Sequence, residues 1–220
     1  MIKAVLFDLI GTTVKTRNPD FIADCFKEAF RQHEVMAIED IIRNNRGRNK
    51  LTMIHEILKQ QNAPAHLAMP VHQSFNEVLQ NNLDNFSEAE GLGEMIFFLK
   101  KRNIKIGIGS GLSQELFIEI YNHLGWEKYE LDYTGTSETT GKSRPDPAMI
   151  FDMMKSLKIV SPEEVLKVGD TAADIQEGKN AGAFTAVILA GTQDENILKN
   201  ESPDFVLNNL TDIQKIYLLN

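Results

Sequence analysis

Four short apolar runs constrain the fold of this chain more than any other feature: residues 3–7, 104–108, 165–168 and 184–189. Each is followed by polar or glycine punctuation, as buried strands are. Helical patterns come after the second and third runs, over about Ser113–Leu124 and Ala173–Ala181. Strands that alternate with helices imply a parallel sheet with helices on both faces, the α/β class.

Residues 15–85 lack such runs. Helical stretches are expected at Pro19–His33, Ala37–Arg43, Leu51–Gln60 and Leu67–Phe86, with no strand among them. Pro70 belongs in the first turn of the last of these helices. The expected organisation is an α/β core of residues 1–14 and 86–220, interrupted after its first strand by an α-helical segment, 15–85. Ligand sites of open α/β sheets lie at the carboxyl ends of the strands. A segment leaving from the end of the first strand would cover that edge as a lid.

Composition narrows the partners. The chain has 220 residues, 42% of them hydrophobic, enough for a sizeable core. A formal net charge of −8 argues against non-specific nucleic-acid binding, because the phosphate backbone would be repelled. Cys25 has no intrachain disulfide partner, so nothing requires an oxidising compartment. No apolar run approaches the length of a membrane span, and the N-terminus enters a strand without a signal-peptide pattern. A cytoplasmic protein that binds neither membrane nor nucleic acid is expected.

Polar groups close the apolar runs. Asp8 ends the first, Ser110 follows the second and Asp170 follows the third. If these strands are neighbours, the three groups converge on one crevice. Asp174 lies four residues beyond Asp170, across a turn into a helix, and can face the same crevice. Carboxylates packed together repel one another in a partly dry site. A hard divalent cation such as Mg²⁺ relieves that repulsion. Alone, Asp8 reads as a turn or cap acid; the set of four reads as a site. In "SRPDPAM", Arg144 precedes a helix that starts near Pro147 and offers a planar donor fork suited to a phosphate or a carboxylate. Lys142 competes for that role.

In order and spacing, these residues resemble the haloacid dehalogenase superfamily of hydrolases. "FDLIGTT", residues 7–13, resembles its nucleophile motif, Ser110 its second motif, Arg144 its basic third motif and "GDTAAD", residues 169–174, its acidic fourth motif. The likeness covers the whole core, and residues 15–85 resemble the family's helical cap. It implies a Rossmann-like parallel sheet flanked by helices, with Asp8 attacking the substrate to form an aspartyl intermediate. Mg²⁺ would be held by Asp8, the backbone carbonyl of Ile10, Asp170 and Asp174. Ser110, Thr12, Gly111 and nearby backbone N–H groups would bind the phosphoryl group, and Arg144 would neutralise its charge.

Ile10 departs from the usual pattern. Family phosphatases carry a second aspartate there, which protonates the departing alkoxide, and isoleucine has no proton to give. Two branches of the superfamily also lack that acid. Dehalogenases expel halide without a metal and typically lack the glycine–aspartate pair that Gly169-Asp170 supplies here. Phosphonoacetaldehyde hydrolases, or phosphonatases, are the nearer likeness. Arg144-Pro145, Gly11-Thr12-Thr13 and "KVGDTAADIQEGKNAG" all follow that pattern. In the cap, "GRNK", residues 47–50, resembles the segment carrying the phosphonatase Schiff-base lysine, which makes Lys50 a candidate catalytic amine. Arg43, Arg46 and Arg48 nearby would help lower its pKa. The cap departs from the branch at Arg46 and Met53, which stand where the branch has methionine and histidine. "RNNRGRNK" also reads as a basic lip that draws in anions, with Arg46 as a substrate contact.

The expected function is therefore Mg²⁺-dependent hydrolysis of a small phosphorylated or phosphonated metabolite, phosphonatase-like. A phosphomonoesterase of the phosphoglycolate-phosphatase kind is the runner-up. A haloacid dehalogenase and a non-catalytic binding protein rank below it. A cap helix such as Phe21–Phe30 offers a face to the core or to a second copy in a homodimer. The five histidines show no paired ligand spacing. Cys25, Trp126, Phe97 and Phe98 read as packing residues.

Overall fold

The computed structural model describes residues 1–218. β1 (Ala4–Asp8) runs through a tight turn into β2 (Val14–Thr16). Four helices follow: α1 (Phe21–Arg31), α2 (Glu39–Asn44), α3 (Lys50–Gln60) and α4 (Ala68–Gln80). β3 (Phe86–Glu88) then returns antiparallel to β2, with Val14 opposite Glu88. Helices and strands alternate from there: α5 (Leu92–Lys100), β4 (Lys105–Ser110), α6 (Gln114–His123), β5 (Tyr133–Thr136), the short α7 (Ser137–Thr140) and α8 (Ala148–Leu157). The chain continues through β6 (Val165–Gly169), α9 (Ala172–Ala181), β7 (Phe184–Ile188), α10 (Glu195–Asn200), β8 (Phe205–Leu207) and α11 (Ile213–Leu218).

Six strands form one parallel sheet in the order β5-β4-β1-β6-β7-β8. β1 lies inside it, with Phe7 opposite Ile108 of β4 on one side and Val168 of β6 on the other. Strand alternation splits β1 between two cores. Val5 and Phe7 pack with Ile106, Ile108, Leu166 and Val168 on one face, while Ala4 and Leu6 meet Met149, Ile150 and Met153 of α8 on the other. The chain fills one side of β1 with β4 and β5 and the other with β6, β7 and β8. β1 therefore ends where the strand order reverses, the place where open α/β sheets bind ligands.

Local chemistry sets the helix starts that matter for the site. The Thr171 hydroxyl accepts from the Asp174 N–H while Asp174 accepts back from the Thr171 N–H, a capping box that opens α9. The Asn49 side chain accepts from the Thr52 N–H to open α3. The helical segment packs through Phe26 of α1 and Phe75 of α4, whose rings stack with centroids 4.3 Å apart. Met53, Ile54 and Ile57 of α3 join them, and all of these belong to the apolar cluster that also contains Val5 and Phe7.

The structure departs from the sequence reading in a few places. β2 and β3 are strands that were not expected, and β2 falls at the entry to a segment read as wholly helical. β5 and β8 were also missed; strands of three or four residues are too short for alternation to register. The last helix of the segment stops at Gln80, and Phe86 begins β3. Phe97 is 60% exposed rather than core-facing, because α5 buries Leu92, Met95, Ile96 and Leu99 instead. Among the described residues, no helix is long and apolar enough to cross a membrane.

Candidate functional site

β1, β4 and β6 are adjacent, so Asp8, Ser110 and Asp170 meet at one sheet edge. Asp8, Asp170 and Asp174 each offer a carboxylate oxygen within 4.8 Å of the others, and all three are buried. Asp8 is held from behind: the Thr13 hydroxyl donates to its backbone carbonyl at 2.9 Å. Gly11 sits at φ +96, and a Cβ there would lie 2.2 Å from Asp170 Oδ2, so the turn after β1 tolerates only glycine. Asp170 Oδ1 accepts from the Thr12 hydroxyl at 3.0 Å; Oδ2 accepts from the Thr192 N–H at 2.7 Å and the Thr192 hydroxyl at 2.6 Å.

Arg144, in the loop before α8, is 1% exposed. Its Nη1 donates to Asp8 Oδ1 and lies 3.2 Å from Asp174 Oδ1. Its Nε donates to Glu177 Oε2 at 3.0 Å. Lys167, in the middle of β6, bridges Asp174 Oδ1 at 2.9 Å and Glu177 Oε2 at 3.2 Å.

Burial pushes the Asp8 carboxyl up to about 7; the Arg144 guanidinium opposes this and Asp174 adds to it. Burial and then Asp174 also raise Asp170. Burial works against ionisation of Asp174 too, yet Lys167 and Arg144 hold it below the usual carboxylate range. Counting Glu177, four buried carboxylates face three buried basic groups, Arg144, Lys167 and Lys50. The cluster carries excess negative charge on oxygen donors alone. That donor set fits a hard divalent cation, and the residues present suit Mg²⁺.

Above Asp8 lies a cavity of about 60 Å³. Its floor includes Asp8, Ile10, Ser110, Gly111 and Arg144, and its roof includes Phe26, Ile42, Arg46, Lys50 and Met53. Lys50 opens α3, is buried, and its Nζ donates to the Arg48 carbonyl at 3.0 Å. Burial pulls the Lys50 ammonium down to about 8; Asp8 opposes this, and Arg144 and then Arg46 lower it further.

The helical segment is seated on the core. Gly47, at φ +80, comes so close that a Cβ would lie 2.4 Å from the Thr171 hydroxyl. The Asn49 N–H donates to Ser143 Oγ at 2.9 Å. Arg46 Nη1 donates to the Thr192 carbonyl, and its Nη2 pairs with Asp20 at 3.1 Å.

Most of the sequence-derived residues meet here, with corrections of detail. Thr12, expected to contact the substrate, donates its buried hydroxyl to Asp170 Oδ1. Ser110 lines the cavity while its Oγ accepts from the Leu112 N–H at 3.1 Å. Arg43 and Arg48 do not press on Lys50 as expected: Arg43 turns to Glu39 at 2.7 Å and Arg48 to Glu56 at 3.4 Å. Lys142 is exposed and takes no part, and among the described residues no histidine joins the carboxylate cluster. Lys167, Glu177 and Thr192 were missed. A lysine inside an apolar strand and a glutamate three residues past Asp174 on one helix face were the available signals for the first two.

The comparisons agree with this geometry. The model of haloacid dehalogenase-like hydrolases matches residues 5–188. A phosphonoacetaldehyde hydrolase of Lactiplantibacillus plantarum is 31% identical over 87% of this chain and 77% of its own length. One from Bacillus cytotoxicus is 25% identical over 91% of this chain and 80% of its own length. Among solved structures, a phosphonoacetaldehyde-hydrolase-like protein from Oleispira antarctica superposes with a TM-score of 0.85 at 17% identity, covering 98% of this chain and 91% of that one. A β-phosphoglucomutase from Clostridium difficile superposes with a TM-score of 0.79 at 19% identity, covering 100% and 96%. With a carboxylate-lined sheet edge and a family match across most of its length, the chain belongs to the haloacid dehalogenase-like hydrolases.

Proposed function

We propose that this hydrolase cleaves a small phosphonated metabolite with an aldehyde carbon, using Asp8 as nucleophile, Lys50 as an imine-forming amine and residues 15–85 as the cap over both. The observation that carries the reading is a buried lysine with a lowered pKa on the cavity that Asp8 floors, where residue 10 supplies no acid. The relatives named phosphonoacetaldehyde hydrolase support it.

In this reading Lys50, as the free amine, condenses with the aldehyde and releases water. An Asp8 oxygen then attacks phosphorus, the P–O bond forms as the P–C bond breaks, and the electron pair flows into the imine to give an enamine. Arg144 holds Asp8 in line and offsets charge on the phosphoryl oxygens, helped by Ser110 and the Gly111 backbone. Water then hydrolyses the aspartyl phosphate and the enamine. Asp8, the Ile10 carbonyl and Asp170, with Asp174 supporting, would hold Mg²⁺, which supplies positive charge to the phosphoryl oxygens.

The test measures phosphate release with Mg²⁺ from phosphonoacetaldehyde, acyl phosphates and phosphate monoesters. Turnover of the aldehyde is expected, with a mass increase on Lys50 after borohydride reduction and loss of at least about 10³-fold in Lys50→Arg. Ester hydrolysis that survives Lys50→Arg unchanged would replace this reading with the phosphomonoesterase. Ile10→Asp should raise ester turnover at least about tenfold, because it restores a proton donor beside the leaving group; unchanged turnover would mean that Ile10 is not what limits ester hydrolysis.

A further inference from the structure

The buried charges behind Asp8 close into a ring. Arg144 Nε meets Glu177 Oε2 at 3.0 Å, Glu177 Oε2 meets Lys167 Nζ at 3.2 Å, Lys167 Nζ meets Asp174 Oδ1 at 2.9 Å, and Asp174 Oδ1 returns to Arg144 Nη1 at 3.2 Å. The signs alternate, so each charge has two opposite neighbours, the arrangement that offsets the cost of taking ions out of water. Asp8 hangs from the ring through Arg144 Nη1. Arg144 Nη2 has no hydrogen-bond partner among the described residues, so two of its three nitrogens orient the group. A guanidinium is planar, and fixing Nε together with Nη1 fixes the plane.

We propose that Glu177 is the positioning residue for Arg144 and that Lys167 is the counter-cation that keeps Glu177 in place. This rests on the reading of Arg144 as the cation that serves Asp8 and the phosphoryl group. Neither Glu177 nor Lys167 lines the cavity; both act through the arginine. Only arginine can hold Glu177 with Nε while a second nitrogen serves Asp8, so a lysine at 144 breaks the ring whatever stands at 177.

The experiment is a double-mutant cycle with Glu177→Gln and Arg144→Lys, read by kcat and KM on phosphonoacetaldehyde and by calorimetric affinity for inorganic phosphate with Mg²⁺ present. Glu177→Gln should lower kcat by about tenfold to a hundredfold, a larger change than the accompanying rise in KM, as a misoriented group does. Added to Arg144→Lys, it should change kcat by less than about threefold, since the positioned group is already gone. Losses that multiply, or a Glu177→Gln enzyme with wild-type kcat, would overturn the proposal. A wild type that turns over none of the substrates would instead refute the underlying reading. The phosphate affinities then carry the same cycle: weakened by Glu177→Gln in the wild type and not in Arg144→Lys if the proposal holds, weakened equally in both if it fails. Should Glu177→Gln not fold, the pair Glu177→Gln/Lys167→Met removes one anion and one cation together. It is expected to show the same kcat loss, and wild-type kcat in that pair would overturn the proposal.

Discussion

Asp8→Asn should abolish turnover, by about 10⁴-fold or more, while making the metal-free protein more stable at neutral pH. In the proposed mechanism the first effect is the loss of the attacking oxygen, and removing a nucleophile leaves only the rate that binding and charge stabilisation supply. The second follows from burial. Asp8 is pushed up to about 7, against an ordinary value of 3.8. Between those values the unfolded chain has lost the proton and the folded chain still holds it. Folded wild type therefore binds more protons than the unfolded chain, and its stability falls as pH rises from about 4 to about 7. Asparagine keeps a carbonyl for Arg144 and has nothing to titrate. In urea titrations without Mg²⁺ the variant should overtake the wild type across that window. Adding Mg²⁺ should restore the wild type more than the variant, because binding to the folded state alone adds stability. Residual activity within tenfold of wild type would remove Asp8 from the chemistry, and a stability gap that ignores pH would remove the buried charge as its cause.

The second large effect concerns Lys50→Met. The lysine titrates near 8 where 10.5 is ordinary, which corresponds to about 3 kcal/mol of destabilisation at neutral pH. Methionine has a similar shape and no charge, and losing the hydrogen bond to the Arg48 carbonyl returns about 1 kcal/mol. A net gain of about 2 kcal/mol is expected at pH 7, or roughly 4–8 °C in Tm for a chain of this size. Below pH 8 both folded and unfolded chains carry the proton, so the full penalty applies to the wild type. Between 8 and 10.5 only the unfolded chain carries it, so wild-type stability rises with pH and the advantage of methionine shrinks. A methionine variant less stable than wild type at pH 7 would mean that the amine sits comfortably where it is. The expected cost is catalytic, because in the proposed mechanism the same amine forms the imine.

How much of this was legible in the sequence differs from residue to residue. Asp8, Ser110 and Asp170 could be read because each ends an apolar run, and parallel strands carry such ends to one edge. Arg144 could be read from its place before a helix, although nothing local showed that it would be fully buried. Lys167 was hidden inside the apolar run that identified its strand. Glu177 lay on a helix that also turns Lys179 and Asn180 to water, and its burial depended on Lys167 and Arg144 from elsewhere in the chain. The pairing of Arg46 with Thr192 spans 146 positions, and no periodicity or motif links residues so far apart. β2 and β3 escaped for a related reason: three-residue strands exist only because they find each other.

That pair of short strands decides how the helical segment can move. Its entry and exit are laced together by β2 and β3, so α1 to α4 leave and rejoin the sheet at one narrow place, and a swing of the segment would turn on that pair. A swing must release the Arg46 grip on Thr192 and the Asn49 contact with Ser143 in the same stroke. A metabolite admitted by such a swing would enter only when both contacts are broken together, so the closed segment would shut the carboxylate cluster off in a single step.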